Sequence, residues 1–214
     1  MALSTRGVLC CVAVALAVGL TQPAFALDPR YPDWPCQQLK VPEISIASVW
    51  TGPPIEEADK EKPADPQQAE LVAKLAARRT SMEEARRLIA DYVVGTSEEK
   101  QAKAKTLFAG LYSTLNAQRD QVMNGIERFS RKQKAMAEDI REKTQKMREI
   151  QDRPDADQTS IEELANQLSW QTRIFEDRRK STAYVCDVPV LIEKRLFELG
   201  RAIQDVLNAE PQTK

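Results

Sequence analysis

The chain contains no histidine, so any chemistry it performs must come from cysteines, carboxylates, hydroxyls and cations. That absence removes the commonest general base, the commonest metal ligand and the usual Ser-His or Cys-His pairing. Four cysteines are present, and none belongs to a CxxC or CxxCH motif. No thioredoxin-type redox pair or c-type haem attachment is therefore encoded. A glycine-rich phosphate loop and an EF-hand pattern are also missing. Carboxylates occur as neighbours (Glu83-Glu84, Glu98-Glu99, Glu138-Asp139, Glu162-Glu163). Adjacent residues on a helix point apart, so such pairs are not preformed acid/base sites. Asp152, Asp155 and Asp157 could bind a divalent cation weakly, but Asp and Pro together are first of all turn formers. Arg178-Arg179-Lys180 and Arg131-Lys132 could make a basic collar. No catalytic residue, no cofactor and no metal ligand is expected.

Cys36 and Cys186 are the pair with a clear expected role. The chain begins with a lone cation, Arg6, followed by an uncharged apolar run over residues 8–20 and the small-residue triplet Ala24-Phe25-Ala26. That order reads as a signal peptide, residues 1–26, cleaved after Ala26. The 13-residue apolar run falls short of the roughly 20 residues needed to span a bilayer. Cys10 and Cys11 lie within it and leave with it. Cys36 and Cys186 then remain in an exported, periplasmic or equivalent, compartment, where an even count predicts one disulfide.

Composition sets the partner class. Removing Arg6 moves the formal charge from −1 to −2, which is not the basic excess of a nucleic-acid binder. Interspersed charges and few glycines suit long solvent-exposed helices.

The elements that must hold these residues follow from periodicity. Residues 27–66 hold eight prolines and read as an extended arm ending in an exposed linker, 56–66. Within the arm, Ile44 to Trp50 alternates like a strand with nothing to pair with. Residues 67–214 read as a helical domain. Leu71, Leu75, Met82, Ala85, Ile89 and Tyr92 form one apolar stripe over 67–94, as one helix or two. Gly95 stops it, and Thr96 with Glu99 starts the next helix as a capping box. That helix runs without proline to about Ile150, with a stripe through Phe108, Leu111, Leu115, Gln118 and Val122. The stripe slips phase at Gly125 and resumes from Ile126 to Ile150. After a turn at 152–157, a second stripe runs through Ile161, Leu164, Leu168, Gln171, Phe175, Arg178, Thr182 and Val185.

Facing positions of the two stripes keep a constant total of 311, so about 126–185 is expected to be an antiparallel coiled-coil hairpin. Its formal net charge is +1, a mixed surface. Leu191, Ile192, Leu196, Leu199, Ile203 and Val206 make a last stripe, entered at Asp187 and Pro189 either as a new helix or as a kinked continuation. The expected fold is all-α: a small helical bundle base, a long coiled-coil hairpin, and a proline-rich extended N-terminal arm.

Residues that could meet a partner are Tyr31, Trp34 and Trp50 in the arm and the polar seam pair Gln133 and Arg178. Packing of the aromatics onto this protein's own base is the competing role. The expected function is a non-catalytic, exported interaction protein, an adaptor or accessory subunit with one or more protein partners. Peripheral association with a membrane complex and homo-oligomerisation fit the same pattern. The alternative is a periplasmic helical-hairpin chaperone. The hairpin resembles tentacle-type chaperones in outline only, without their motifs, barrel-forming strands or basic surface.

Overall fold

The computed structural model describes residues 28–56 and 65–209. The expected signal peptide and most of the expected linker lie outside them. Among the described residues every regular element is helical: α1 (Ile46–Val49), α2 (Pro66–Ala76), α3 (Met82–Tyr92), α4 (Ser97–Gln151) and α5 (Gln158–Asn208). None of these helices is long and apolar enough to cross a membrane.

Local chemistry explains each boundary. Asp65 caps α2 through the Gln67 N–H, and Pro66 sits in the first turn, where its missing donor costs nothing. The 67–94 stripe resolves into two helices. Thr80 folds its hydroxyl back to the Lys74 carbonyl at 2.7 Å, and Ser81 accepts from the Glu84 N–H to start α3. Gly95 follows with φ +124°, a backbone conformation that penalises any side chain. Thr96 and Glu99 then form the reciprocal capping box of α4. The 55 residues of α4 give it a length of about 80 Å. It ends at Asp152. Asp157 opens α5 by accepting from the N–H groups of Thr159 and Ser160.

Pro189 lies inside α5, which passes through it as one 51-residue helix. A proline leaves the carbonyl four residues back without its helical donor and crowds the preceding turn. The carbonyl so freed is that of Val185; on the next residue, Gln38 Nε2 donates to the Cys186 carbonyl.

The two long helices run antiparallel. Partners on α5 descend as those on α4 rise: Arg119 with Glu193, Gln133 with Phe175, Asp139 with Gln171. The main core gathers where other elements cover this pair. Phe108, Leu111 and Leu115 of α4 meet Leu196, Leu199 and Ile203 of α5, with Leu75, Ile89 and Val93 closing the far sides. Burying each such side chain contributes about 1.5–3 kcal/mol.

The N-terminal segment supplies part of this core, in a form the alternation of Ile44 to Trp50 did not predict. The expected strand is instead a single helical turn, α1, closed by the Trp50 N–H on the Ile46 carbonyl at 2.9 Å. With no second strand to satisfy its backbone, a local turn pairs those groups better. Ile44, Val49 and Trp50 point inward, and Trp50 stacks on Phe108 with centroids 4.3 Å apart. Gly200 makes the approach possible. A Cβ there would sit 2.5 Å from the Val49 carbonyl oxygen and 3.0 Å from the Phe108 ring.

Candidate functional site

Of the residues singled out from the sequence, Tyr31, Trp34, Cys36, Gln133 and Cys186 lie where the N-terminal segment crosses α4 and α5, whereas Trp50 packs on Phe108 in the main core and Arg178 is exposed. Cys36 and Cys186 form a disulfide with their Cα atoms 5.6 Å apart. Beside it the segment is tied by polar contacts. Lys40 pairs with Glu127 at 2.5 Å, and Asp33 with Lys134 at 2.9 Å and Arg131 at 3.3 Å. The hydrogen bond from Lys134, reinforced by Arg131, holds the Asp33 carboxyl below its ordinary range.

The aromatic candidates are occupied by the protein itself. Trp34 is buried against Met123 and Ile126, and its indole N–H donates to the Gln38 carbonyl at 2.8 Å. Trp50 is buried in the main core and donates to the Pro53 carbonyl at 2.8 Å. Tyr31 is half-buried in the Trp34 cluster with the Lys40 ammonium 4.7 Å above its ring. Neither indole presents a free face, so each anchors the segment; contact with a partner would require its displacement.

Arg119 was missed. The expected stripe passed through Gln118, yet Gln118 is exposed and Arg119 is only 2 % exposed. Its guanidinium bonds Glu193 at 2.6 Å and the carbonyls of Val41 and Pro42 at 2.6 and 3.3 Å. An extended segment with unpaired carbonyls needs a donor from the scaffold, and a side chain with five N–H groups supplies it. The only sequence signal was an arginine one position from an apolar stripe.

The stripe also changes phase on α5. Arg178 and Val185 were placed in the seam, but both are exposed, and Cys186 is buried instead. Cys186 carries the bond to Cys36. Gln133 bonds the backbone of α5 and not the Arg178 side chain. Its Nε2 donates to the Phe175 carbonyl at 3.2 Å, while its Oε1 is buried without a partner. Farther out, Lys143 and Gln171 both reach Asp139, at 2.7 and 3.0 Å.

Between these contacts lies an open cleft of about 640 Å³. Phe129 and Phe175 form its apolar walls, Ser130, Gln133 and Thr182 its polar lining, and the disulfide one end. This size and mixture are typical of sites between packed helices. The aspartates of the 152–157 turn are otherwise engaged: Arg153 pairs with Asp155, and Asp157 caps α5. The Ser160 hydroxyl and the two capping N–H groups hold the Asp157 carboxyl below its usual range. Among the described residues no cluster of three or more cysteines and carboxylates is placed to hold a metal.

Trp170 and Tyr184 were not singled out, yet they are 64 % and 78 % exposed on the back of α5. The available signal was a pair of aromatics out of phase with the buried stripe. Compared with protein-family models, curated proteins and solved structures, the chain matches none.

Proposed function

We propose that this protein is an exported, non-catalytic interaction protein, an adaptor or accessory subunit, that receives a protein partner at the cleft between α4 and α5. In this reading the helices form a coiled-coil hairpin over about 126–185, standing on a small helical base. The proline-rich arm, 27–66, is fastened to the base of the hairpin by the Cys36–Cys186 bond. Export rests on residues 1–26, read as a signal peptide, and on the disulfide, which suits an oxidising compartment.

The observation that carries the reading is the cleft. Its two phenyl walls are half-buried, and Gln133 beside them keeps a buried acceptor without a donor. Asn116 Oδ1 and Gln171 Oε1 are buried acceptors of the same kind away from the cleft, so the phenyl walls carry the reading and Gln133 adds one acceptor to them.

The test is cross-linking in intact cells, followed by purification of the tagged protein and mass spectrometry of what comes with it. One dominant, stoichiometric partner is expected, cross-linked near the cleft and lost on Phe175→Glu or on deletion of residues 127–184. A partner indifferent to both changes would move the contact off the cleft. A broad spread of unfolded exported proteins would replace the adaptor reading with that of a helical-hairpin chaperone.

A further inference from the structure

Helix α5 carries a second stripe, on the side facing away from α4. Trp170, Asp177, Tyr184 and Leu191 recur every seven residues, and a straight helix drifts only about 20° per such step, so they share one face. Trp170, Tyr184 and Leu191 are 64 %, 78 % and 52 % exposed. From Trp170 to Leu191 the face extends about 32 Å. Among the described residues nothing covers it.

The charges beside the stripe decide what would. Arg173 and Asp187 are both exposed, lie on the same flank, and form no ion pair with any described residue. They are placed symmetrically about residue 180. Trp170 and Leu191, and likewise Asp177 and Tyr184, are symmetric about nearly the same point. A face with that symmetry is its own complement when one copy is turned end for end.

We propose that the outer face of α5 pairs with the same face of a second copy of this chain, antiparallel, about a two-fold axis near residue 180. Each Arg173 then meets Asp187 of the second copy, and each Trp170 packs on the second copy's Leu191. The Tyr184 hydroxyl reaches the second copy's Asp177. A parallel pairing would instead set Asp177 against its own copy and carry the second copy's Arg173 and Asp187 to the opposite edge, where neither ion pair forms. At the axis Lys180 meets its own copy, with its charge already offset by Asp177 at 3.6 Å. The contact ends where Glu163 would oppose Glu198. Such an interface is isologous and closed, so it makes dimers and no larger array. Its aromatic stripe lies on the opposite side of α5 from the seam with α4; Asp187 also borders the cleft, and the dimer is tested on the purified protein alone, without the partner of the adaptor reading.

The test is sedimentation equilibrium of the protein over about 1–100 µM, because a reversible dimer depends on concentration. Arg173→Asp and Asp187→Arg should each raise the dissociation constant at least about tenfold by opposing like charges. The double variant R173D/D187R should return it to within about threefold of the parent, since both ion pairs are restored in reverse. Both side chains are exposed and form no hydrogen bond or ion pair with a described residue, so circular dichroism should be unchanged throughout. A monomer at every concentration overturns the proposal. So does a dimer that neither single variant weakens, or a double variant that fails to recover. A monomer that captures a different chain through Trp170 and Tyr184 would assign the face to a foreign partner and overturn it equally.

Discussion

The same two helices behave differently along their length. In the core region α4 and α5 hold Leu107, Phe108, Leu111, Leu196, Leu199 and Ile203 wholly out of solvent. Between Ser130 and Cys186 the only buried residue is Leu168. Apolar spacing is present in both stretches, so periodicity does not explain the contrast. Company does. In the core region α1, α2, α3 and the N-terminal segment close over the pair. Farther out each helix has only the other, and two cylinders in contact leave most of their seam at the edge of water. A stripe of apolar residues specifies which face packs; the number of neighbours specifies how deeply.

That contrast can be broken by mutation. Phe108→Ala should cost about 3–5 kcal/mol in urea unfolding, as deletion of a fully buried aromatic does. The half-buried Met147→Ala should cost less than about 1 kcal/mol, since little cavity forms where solvent already reaches. Equal losses would mean that the distal stretch is as tightly packed as the core. Next in size is Cys36→Ser. Opening a cross-link over a separation of 150 residues should lower stability by about 2–4 kcal/mol. The melting temperature reports this; an unchanged value, with two titratable thiols in the native parent protein, would remove the disulfide. The smallest effect sharpens the comparison between buried and exposed charge. Arg119→Met should cost about 1–3 kcal/mol, because it strands the Val41 and Pro42 carbonyls and leaves Glu193, itself partly exposed, unpaired. Lys143→Met in the distal seam should change stability by about 0.5 kcal/mol or less, its ion pair being open to water. A large loss there would mark the polar seam as a structural lock.

The long helices were legible because their ends are written in local chemistry. Thr96 with Glu99, and the run from Asp152 to Asp157, act through backbone groups a few residues away. The all-α class followed from those signals and from the stripes. What was not legible depends on contacts between distant segments. Ile44 to Trp50 alternates like a strand, but Gly200, far along the chain, makes the notch that receives α1. Arg119 looks like a surface residue until the Val41 and Pro42 carbonyls are brought to it. Cys186 is buried and Val185 exposed, and the partner that Cys186 bonds, Cys36, lies near the other end of the protein. Trp34 and Trp50 could be expected to pack on the base or to meet a partner for the same reason: nothing local shows that α4 covers them. Trp170 and Tyr184 are the converse, aromatics hidden among charged neighbours and left open by the fold.

The disulfide has a consequence for the covalent integrity of the molecule. The exposed turn at 152–157 is the natural place for a protease to cut. A single cut there puts Cys36 on one fragment and Cys186 on the other, and the bond still joins them. Each fragment also keeps one of the two long helices, so the core would hold its shape as a two-chain molecule. The nick would be invisible on a non-reducing gel and would appear as two bands only after reduction.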